Sequence, residues 1–127
     1  MPATHLFEYA VIRVVPRVDR EEFLNVGVIL YCPDVRFLGL RCAYDCDRLL
    51  TLDPNLDLEE LKLHLHAFGA ITRGEAAGGP IARLDIANRF RWLTATRSTI
   101  LQTSRVHPGL STDPAATLEE LYERLVL

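Results

Sequence analysis

Three apolar runs, rich in β-branched and aromatic residues, occupy the first third of the chain. They extend from Phe7 to Val15, from Phe23 to Cys32 and from Val35 to Cys42. Pro16 ends the first run, because proline cannot extend a central strand. Pro33 and Asp34 separate the last two runs as a tight turn would. The pattern predicts an antiparallel meander of three strands.

The alternation of side chains along this meander leaves neither face polar. The predicted turn sets Cys32 opposite Val35, and this register defines the two faces. The residues of one face are Leu24, Val26, Val28, Leu30, Val35 and Phe37. Those of the other are Phe23, Ile29, Tyr31, Leu38, Leu40 and Cys42, with Asn25 and Gly27 between them. Because an antiparallel sheet with one wet face alternates apolar and polar residues, we expect helices on one face and a partner outside the chain on the other.

Apolar residues at helical spacing follow the meander. Asp57 stands three residues before Glu60, which is a capping arrangement. An apolar stripe at helical spacing follows, made of Leu58, Leu61, Leu65 and Phe68, with Gly69 near the end of the helix. Pro80 is suited to begin a second helix of about four turns. A second capping box begins at Thr117, before the last helix.

The remaining segments complete the predicted architecture. Ser98 to Thr103 is a short β-prone run, predicted as a fourth strand, and Ser104 to Pro114 is predicted as a turn-rich connection. A length of 127 residues suits one domain. We therefore predict a single α+β domain over residues 1–127, an antiparallel meander of three strands plus a fourth, with about three helices packed on it.

Composition narrows the class of protein. Hydrophobic residues make up 49% and charged residues 24% of the chain, which excludes a disordered protein. The net charge of −3 gives no bulk attraction to nucleic acid or to an acidic membrane. The apolar stretch Tyr9 to Val15 is interrupted by Arg13 and is too short to span a bilayer. Three cysteines, an odd count, indicate free thiols and a cytoplasmic protein, and we expect no cofactor.

Cys42, Cys46, His64 and His66 include the donor types of a zinc site. The two histidines lie two residues apart on a predicted helix, so their side chains diverge by about 200°. We therefore expect no metal site, but two thiols and two histidines on a helix surface.

Charged residues interrupt the apolar strands at Arg13, Glu22 and Arg41. One interpretation is an ion pair of Arg13 with Glu22 that fixes the strand register. The other is a cationic spot of Arg13 and Arg41 on one sheet face, suited to a phosphate or a partner's carboxylate. Asn25 needs hydrogen-bond partners in an apolar strand, and Gly27 indicates a bulge or a close backbone approach.

Five arginines and a single acid lie between residues 83 and 105, with Phe90 and Trp92 among them. The arginines are Arg83, Arg89, Arg91, Arg97 and Arg105. Such a segment is typical of nucleic-acid or phosphate binding. No glycine-rich phosphate loop accompanies it, and the acidic segment from Asp45 to Lys62 can neutralise it within the fold. Nucleic acid is therefore an alternative that the sequence does not favour.

Residue types used in acyl transfer occur near the C-terminus. They are Ser98, Ser104, His107, Ser111 and Asp113. The Gly-x-Ser-x-Gly nucleophile elbow does not occur in the sequence. A small hydrolase or nuclease around Ser98, His107 and Asp113 is a second alternative.

Three segments carry a resemblance to a known family. They are Tyr9 to Pro16, Glu21 to Tyr31 with its Glu-Phe-Leu-Asn-Val-Gly-Val-Ile-Leu block, and Arg97 to Gln102 followed by His107. Together they resemble the bacterial domain-of-unknown-function family 3037, over nearly the whole chain. The resemblance implies a small cytosolic protein, often encoded beside a HipA-like kinase, and supplies no catalytic residue. By analogy it implies a partner or regulatory subunit of such a kinase.

These observations favour a non-enzymatic interaction or regulatory protein that binds a second copy of itself or a kinase-like partner. The residues that we expect to bind are Arg13, Glu22, Asn25, Arg41, Arg97 and His107. The first alternative is a phosphate- or nucleic-acid-binding module that uses the Arg83–Arg105 segment. The second is the small hydrolase or nuclease.

Overall fold

A five-stranded antiparallel sheet organises the chain in the computed structural model, which describes residues 3–97 and 99–127. The strands are β1 (His5–Val14), β2 (Leu24–Cys32), β3 (Phe37–Cys42), β4 (Leu101–Thr103) and β5 (His107–Ser111). The α-helices of these residues are α1 (Cys46–Leu52), α2 (Leu58–Arg73), α3 (Ile86–Leu93) and α4 (Pro114–Leu125). The predicted α+β class and the meander of β1, β2 and β3 are confirmed.

Strand β1 lies inside the sheet, whose order is β3-β2-β1-β4, with β5 also paired to β1. Ile12 to Val14 pair with β4, and His5 to Tyr9 pair with β5. The fourth strand is confirmed, although its first predicted residue, Ser98, lies outside the described residues. The prediction of a turn-rich connection over β5 was wrong. Pro108 and Gly109 concealed this strand, since both residue types are uncommon in strand interiors.

The turn between β2 and β3 is longer than predicted. One 3-10 turn spans Pro33–Val35, and Arg36 follows in the left-handed region with φ 53°. Cys32 therefore pairs with Phe37 instead of Val35. Because the shift is two residues and side chains alternate with period two, each β3 side chain stays on its predicted face.

A β-bulge separates the two halves of β2. Ile12 pairs with Gly27 but Arg13 pairs with Asn25, which leaves Val26 as the extra residue. The bulge turns Leu24 and Val26 to the face of Ile29 and Tyr31. The prediction that they share a face with Val28 and Leu30 was therefore wrong.

Gly27 is required beside this bulge because β3 passes very close to it. A Cβ added at Gly27 would lie 2.8 Å from the backbone oxygen of Arg41. The prediction of a bulge or a close backbone approach at this glycine is confirmed in both forms.

Helices cover both faces of the sheet. One core joins β1 and β2 to residues of α1, α2 and α3. Its largest fully buried members are Ile12, Ile29, Leu49, Leu61, Phe90 and Leu93. The other core packs α4 on the opposite face, through Phe7, Val28, Leu30, Cys32, Leu118, Leu121, Tyr122 and Val126. The expectation that something outside the chain must cover the second face was wrong, because α4 covers it.

Aspartate side chains cap the N-termini of the α-helices. Asp57 accepts a hydrogen bond from the Glu60 backbone N at 3.1 Å, so α2 begins as predicted. The second predicted helix was misplaced: Pro80 lies in a short 3-10 segment, and Asp85 caps α3 instead. Asp113 caps α4, which begins three residues before Thr117.

Two further helix features were not foreseen. Helix α1 begins after Asp45, whose side chain accepts from two backbone N–H groups. Gly69 does not end α2, which continues to Arg73 and is closed by Gly74 at φ 68°. Among the described residues, no helix has the length and apolar character needed to cross a membrane.

Replacing Leu121 by Ala tests whether α4 covers a true core. Leu121 is 5% exposed, so Leu121→Ala should lower the free energy of unfolding by about 2–5 kcal/mol. Leu63→Ala is the matched control, since Leu63 is 72% exposed on α2 and should change it by less than about 0.5 kcal/mol. Urea unfolding monitored by circular dichroism measures both. Equal effects of the two substitutions would contradict the packing of α4.

Candidate functional site

Two of the six predicted site residues lie in one cavity beside the β2 bulge. Arg13 and Arg97 both line a cavity of about 450 Å³, here called the Arg13–Arg97 cavity. Its other lining residues are Val15, Val18, Glu21, Phe23, Thr96 and Gln102. The cavity is assembled from the end of β1, the connection to β2, the segment after α3, and β4. These pieces are far apart in sequence and meet only because β4 pairs with β1.

Arg13 is held at this cavity by an aromatic contact. Its guanidinium carbon lies 4.1 Å from the ring centroid of Phe23, within the range of a cation–π interaction. In the part of the chain that the structure describes, Arg13 forms no salt bridge, and its buried Nε has no hydrogen-bond partner. The predicted ion pair with Glu22 was wrong, because Glu22 accepts a hydrogen bond from Arg20 instead.

Arg97 occupies a similar position at the end of α3. Its guanidinium carbon lies 4.1 Å from the Trp92 ring centroid. One terminal nitrogen donates to the Leu93 carbonyl oxygen at 3.2 Å and the other to the Trp92 carbonyl oxygen. Burial lowers the pKa of the Arg97 guanidinium, but arginine is so strong a base that the group keeps its charge near neutral pH.

The charge of the cavity is positive but moderated by one acid. Two guanidinium groups and the Glu21 carboxylate line it, together with the Thr96 hydroxyl and the Gln102 amide. Glu21 is positioned by its left-handed backbone, with φ 57°, at the end of the 3-10 turn before β2. A pair of guanidinium forks with neighbouring hydroxyl and amide groups is suited to bind one oxyanion.

Comparison with known proteins gives the family of this chain. A model for a family of proteins of unknown function, DUF3037, matches residues 9–126. The chain belongs to the DUF3037 family. The resemblance found in the sequence is thereby confirmed. Comparisons with curated proteins and with solved structures gave no significant match.

In this DUF3037 protein, two other predicted site residues attach α4 to the sheet. The Asn25 amide donates to the Leu125 carbonyl oxygen at 3.1 Å. Arg41 donates to the Glu119 carboxylate at 3.1 Å, and its guanidinium carbon lies 4.5 Å from the Tyr122 ring centroid. Arg41 does not line the Arg13–Arg97 cavity. The structure therefore does not join Arg13 and Arg41 into one cationic spot at this cavity.

Glu22 and His107 lie outside the cavity as well. Glu22 is exposed and paired with Arg20. His107 is half-buried on β5, and its ring centroid lies 5.3 Å from that of Tyr9, its cross-strand neighbour. Neither side chain joins Arg13 and Arg97.

The arginines of the 83–105 segment do not form one patch. Arg89 and Arg91 are two positions apart on α3, so they diverge by about 200°. Arg89 donates to the Ala82 carbonyl oxygen at 3.3 Å, whereas Arg91 is exposed. The helical backbone thus separates charges that are adjacent in the sequence, and of the five only Arg97 lines the cavity.

Three of the residues suggested for acyl transfer, Ser104, Ser111 and Asp113, form hydrogen bonds with the backbone. The Ser104 hydroxyl accepts from the Val11 backbone N at 2.9 Å and donates to the Arg105 carbonyl oxygen at 2.8 Å. Ser111 accepts from the Asp113 backbone N at 3.0 Å, and the Asp113 carboxylate caps α4. His107 lies at the other end of β5 from Ser111, and Ser98 lies outside the described residues. In the described part of the chain, neither the Ser104 nor the Ser111 hydroxyl is hydrogen-bonded to His107 or to a carboxylate.

The cysteines and helix histidines are dispersed. Within residues 3–97 and 99–127, no three His, Cys, Asp or Glu side chains cluster as a metal site. His64 lies 3.7 Å from the Glu60 carboxylate on α2. Burial raises the pKa of the Cys42 thiol to about 11, and the nearby Arg41 opposes this shift only in part.

The sequence reasoning missed the aromatic rings that position the two arginines. Phe23 follows Arg13 by ten residues and Trp92 precedes Arg97 by five. A search for arginines paired with aromatic residues across a hairpin or a helix end could have found both contacts. It could not have placed the two pairs at one cavity, because that depends on the pairing of β4 with β1.

Alkylation by iodoacetamide tests the environment of the cysteines. At pH 8 the exposed Cys46 should react first, because Cys42 with a pKa of about 11 is almost entirely protonated and only the thiolate reacts. The rate at Cys42 should keep rising as the pH approaches its pKa. Peptide mass spectrometry over pH 7–10 measures each site, with Cys42→Ser as the control. A rate at Cys42 that reaches a plateau below pH 9 would contradict the burial described here.

Proposed function

We propose that this DUF3037 protein is a non-enzymatic binding protein whose Arg13–Arg97 cavity takes an oxyanion of its ligand, a phosphate or a carboxylate group. The observation that carries the proposal is the convergence of two arginines, each against an aromatic ring, on one cavity. The proposal combines two expectations from the sequence, the binding role of Arg13 and Arg97 and the suitability of such a site for phosphate or carboxylate.

The aromatic contacts prepare the two guanidinium groups for binding. Each ring covers a guanidinium face at 4.1 Å and leaves the N–H groups in the plane available. The carbonyl oxygens of Trp92 and Leu93 take two of the five N–H donors of Arg97. Arg13 makes no hydrogen bond to described residues through its buried Nε. Side chains held in this way lose little conformational entropy when they bind an anion.

Two observations favour a single oxyanion over a nucleic-acid backbone or a catalytic reaction. Arg89 and Arg91 diverge on α3, and of the five arginines in the 83–105 segment only Arg97 lines the cavity. The segment therefore does not present its arginines as one track for successive phosphates. The Ser104 and Ser111 hydroxyls and the Asp113 carboxylate are occupied by backbone contacts. A single cavity with two positive groups and one acid fits one anionic group of moderate charge.

The partner of this protein stays a prediction from the sequence. A second copy and a kinase-like protein were both expected there, and the family match adds no partner to either. The packing of α4 removes one reason for self-association, since the second sheet face is already covered. The oxyanion that binds in the Arg13–Arg97 cavity can belong either to a partner protein or to a free ligand. The cytoplasmic location also stays a prediction.

Titration calorimetry with inorganic phosphate and with succinate, at low ionic strength, tests the proposed site. At least one of the two anions should bind, and Arg13→Gln should weaken that binding about tenfold or more, since hydrogen bonds to charged groups contribute about 1.5–3 kcal/mol. Glu21→Gln should strengthen it, because it removes a negative charge from the cavity wall. Arg97→Lys keeps the charge but loses the fork, and should weaken binding as well.

Arg91→Gln is the matched control for these variants, because Arg91 is exposed on α3 and does not line the cavity. It should leave the affinity unchanged, and urea unfolding should show that every variant is folded. Binding of phosphate alone would identify the ligand group as a phosphate, and binding of succinate alone as a carboxylate. Failure of both anions to bind, or an equal loss in Arg91→Gln, would refute the proposal.

A further inference from the structure

A second groove, separate from the Arg13–Arg97 cavity, lies between the outer edge of the sheet and helix α2. It encloses about 600 Å³ and is lined by the end of β3, the residues just after it, and one side of α2. Strand β3 is the last strand on this side of the sheet, so no described strand pairs with its outer edge. We call it the β3–α2 groove. An edge of this kind offers backbone N–H and C=O groups to an additional strand.

The α2 wall of the groove carries a stripe of basic side chains. Lys62, His66, Gly69 and Arg73 follow one another at spacings of four, three and four residues, and all line the groove. Residues at these spacings share one side of a helix. The stripe covers eleven residue steps, which is about 16 Å along the helix axis.

Gly69, in the middle of this stripe, has no side chain and leaves the helix backbone uncovered there. A Cβ added there would lie 2.9 Å from a terminal nitrogen of Arg73, so the guanidinium of Arg73 lies against the bare helix backbone. The positive charge of Arg73 therefore lies along the side of α2 that faces the groove. Arg41 lines the groove at the end of β3, but its guanidinium is turned to α4, where it pairs with Glu119 and lies on the Tyr122 ring.

Among the residues that the structure describes, no carboxylate lines this groove. The charged side chains that face it are Lys62 and Arg73, both from α2. Their acidic partners stand outside it: Lys62 is paired with Glu59 at 3.2 Å and Arg73 with Glu75 at 2.6 Å. Exposed ion pairs of this kind are weak. An acidic ligand in the groove can therefore take the place of these partners.

We propose that the β3–α2 groove binds an extended acidic segment of a partner protein, which adds as a further strand to the edge of β3. Backbone hydrogen bonds to β3 would give affinity, and acidic side chains facing Lys62 and Arg73 would give specificity, as in other cases of strand addition. At about 3.3 Å per residue, roughly five extended residues span the 16 Å of the stripe. A second copy of this chain is a poorer occupant. Symmetric pairing of two β3 edges would bring two basic stripes together.

Fluorescence anisotropy with a labelled peptide of alternating Glu and Val tests the groove. The full chain should bind this peptide at low salt, and the affinity should fall as salt rises. A Lys-Val peptide should not bind. A Glu-Pro peptide should not bind either, because proline lacks the N–H that strand pairing needs.

Lys62→Gln combined with Arg73→Gln should weaken the peptide at least tenfold. Arg91→Gln combined with Arg105→Gln removes two exposed arginines outside the groove and should have no effect. All peptide measurements are made in the Arg13→Gln background, because the Arg13–Arg97 cavity is proposed to take a carboxylate and would otherwise compete for the Glu side chains of the peptide. The two proposals can then fail independently. Amide hydrogen exchange should show new protection of β3, residues 37–42, when the peptide binds.

Any one of four results with the peptide or with phosphate would overturn the proposal. They are an affinity that does not respond to Lys62→Gln with Arg73→Gln, equal binding of the Glu-Pro peptide, no new protection of β3, and binding of inorganic phosphate in this groove in place of the peptide. A dimer in light scattering that Lys62→Gln with Arg73→Gln strengthens would assign the groove to a second copy, and would overturn it as well.

Discussion

The two central strands are apolar on both faces, and the rest of the structure depends on covering them. Ile12 and Ile29 are fully buried under α2 and α3, whereas Val28 and Leu30 are fully buried under α4. Because burial of apolar surface is the main favourable term in folding, neither face can be left open in water. Helices of the chain cover both faces. The Arg13–Arg97 cavity and the β3–α2 groove therefore lie at the ends and edges of the sheet.

The candidate cavity follows from where this covering stops. Asn25 binds the carbonyl oxygen of Leu125, the last residue of α4, and its cross-strand neighbour is Arg13. The helix therefore ends beside the position at which Arg13 emerges from the sheet. The bulge at Val26 lies in the same place, in keeping with the tendency of bulges to redirect side chains near functional sites. Arg13 thus stays at an open cavity instead of being packed under a helix.

The two basic surfaces of this protein differ in how their charges are held. In the Arg13–Arg97 cavity each guanidinium lies on an aromatic ring, so the groups are ordered before any ligand arrives. In the β3–α2 groove Lys62 and Arg73 are exposed, and each is paired with a carboxylate two or three residues away in the sequence. Guanidinium groups held on aromatic rings suit one small oxyanion, and exposed charges beside a strand edge suit an extended segment. These two basic surfaces occur although the net charge of the chain is −3, because each depends on where individual charged side chains lie in the fold.

Local periodicity, capping residues and a continuous motif were enough to predict the α+β class, the meander, the start of α2 and the family. They also indicated Arg13, a charge within an apolar strand, and Arg97, a charge within a basic segment, as candidate binding residues. The folded chain alone brings these two arginines together, since a cavity formed by segments some 80 residues apart leaves no local pattern. It likewise places α4 over the second sheet face and makes β5 a strand. Long-range pairing outweighs the low strand propensity of Pro108 and Gly109.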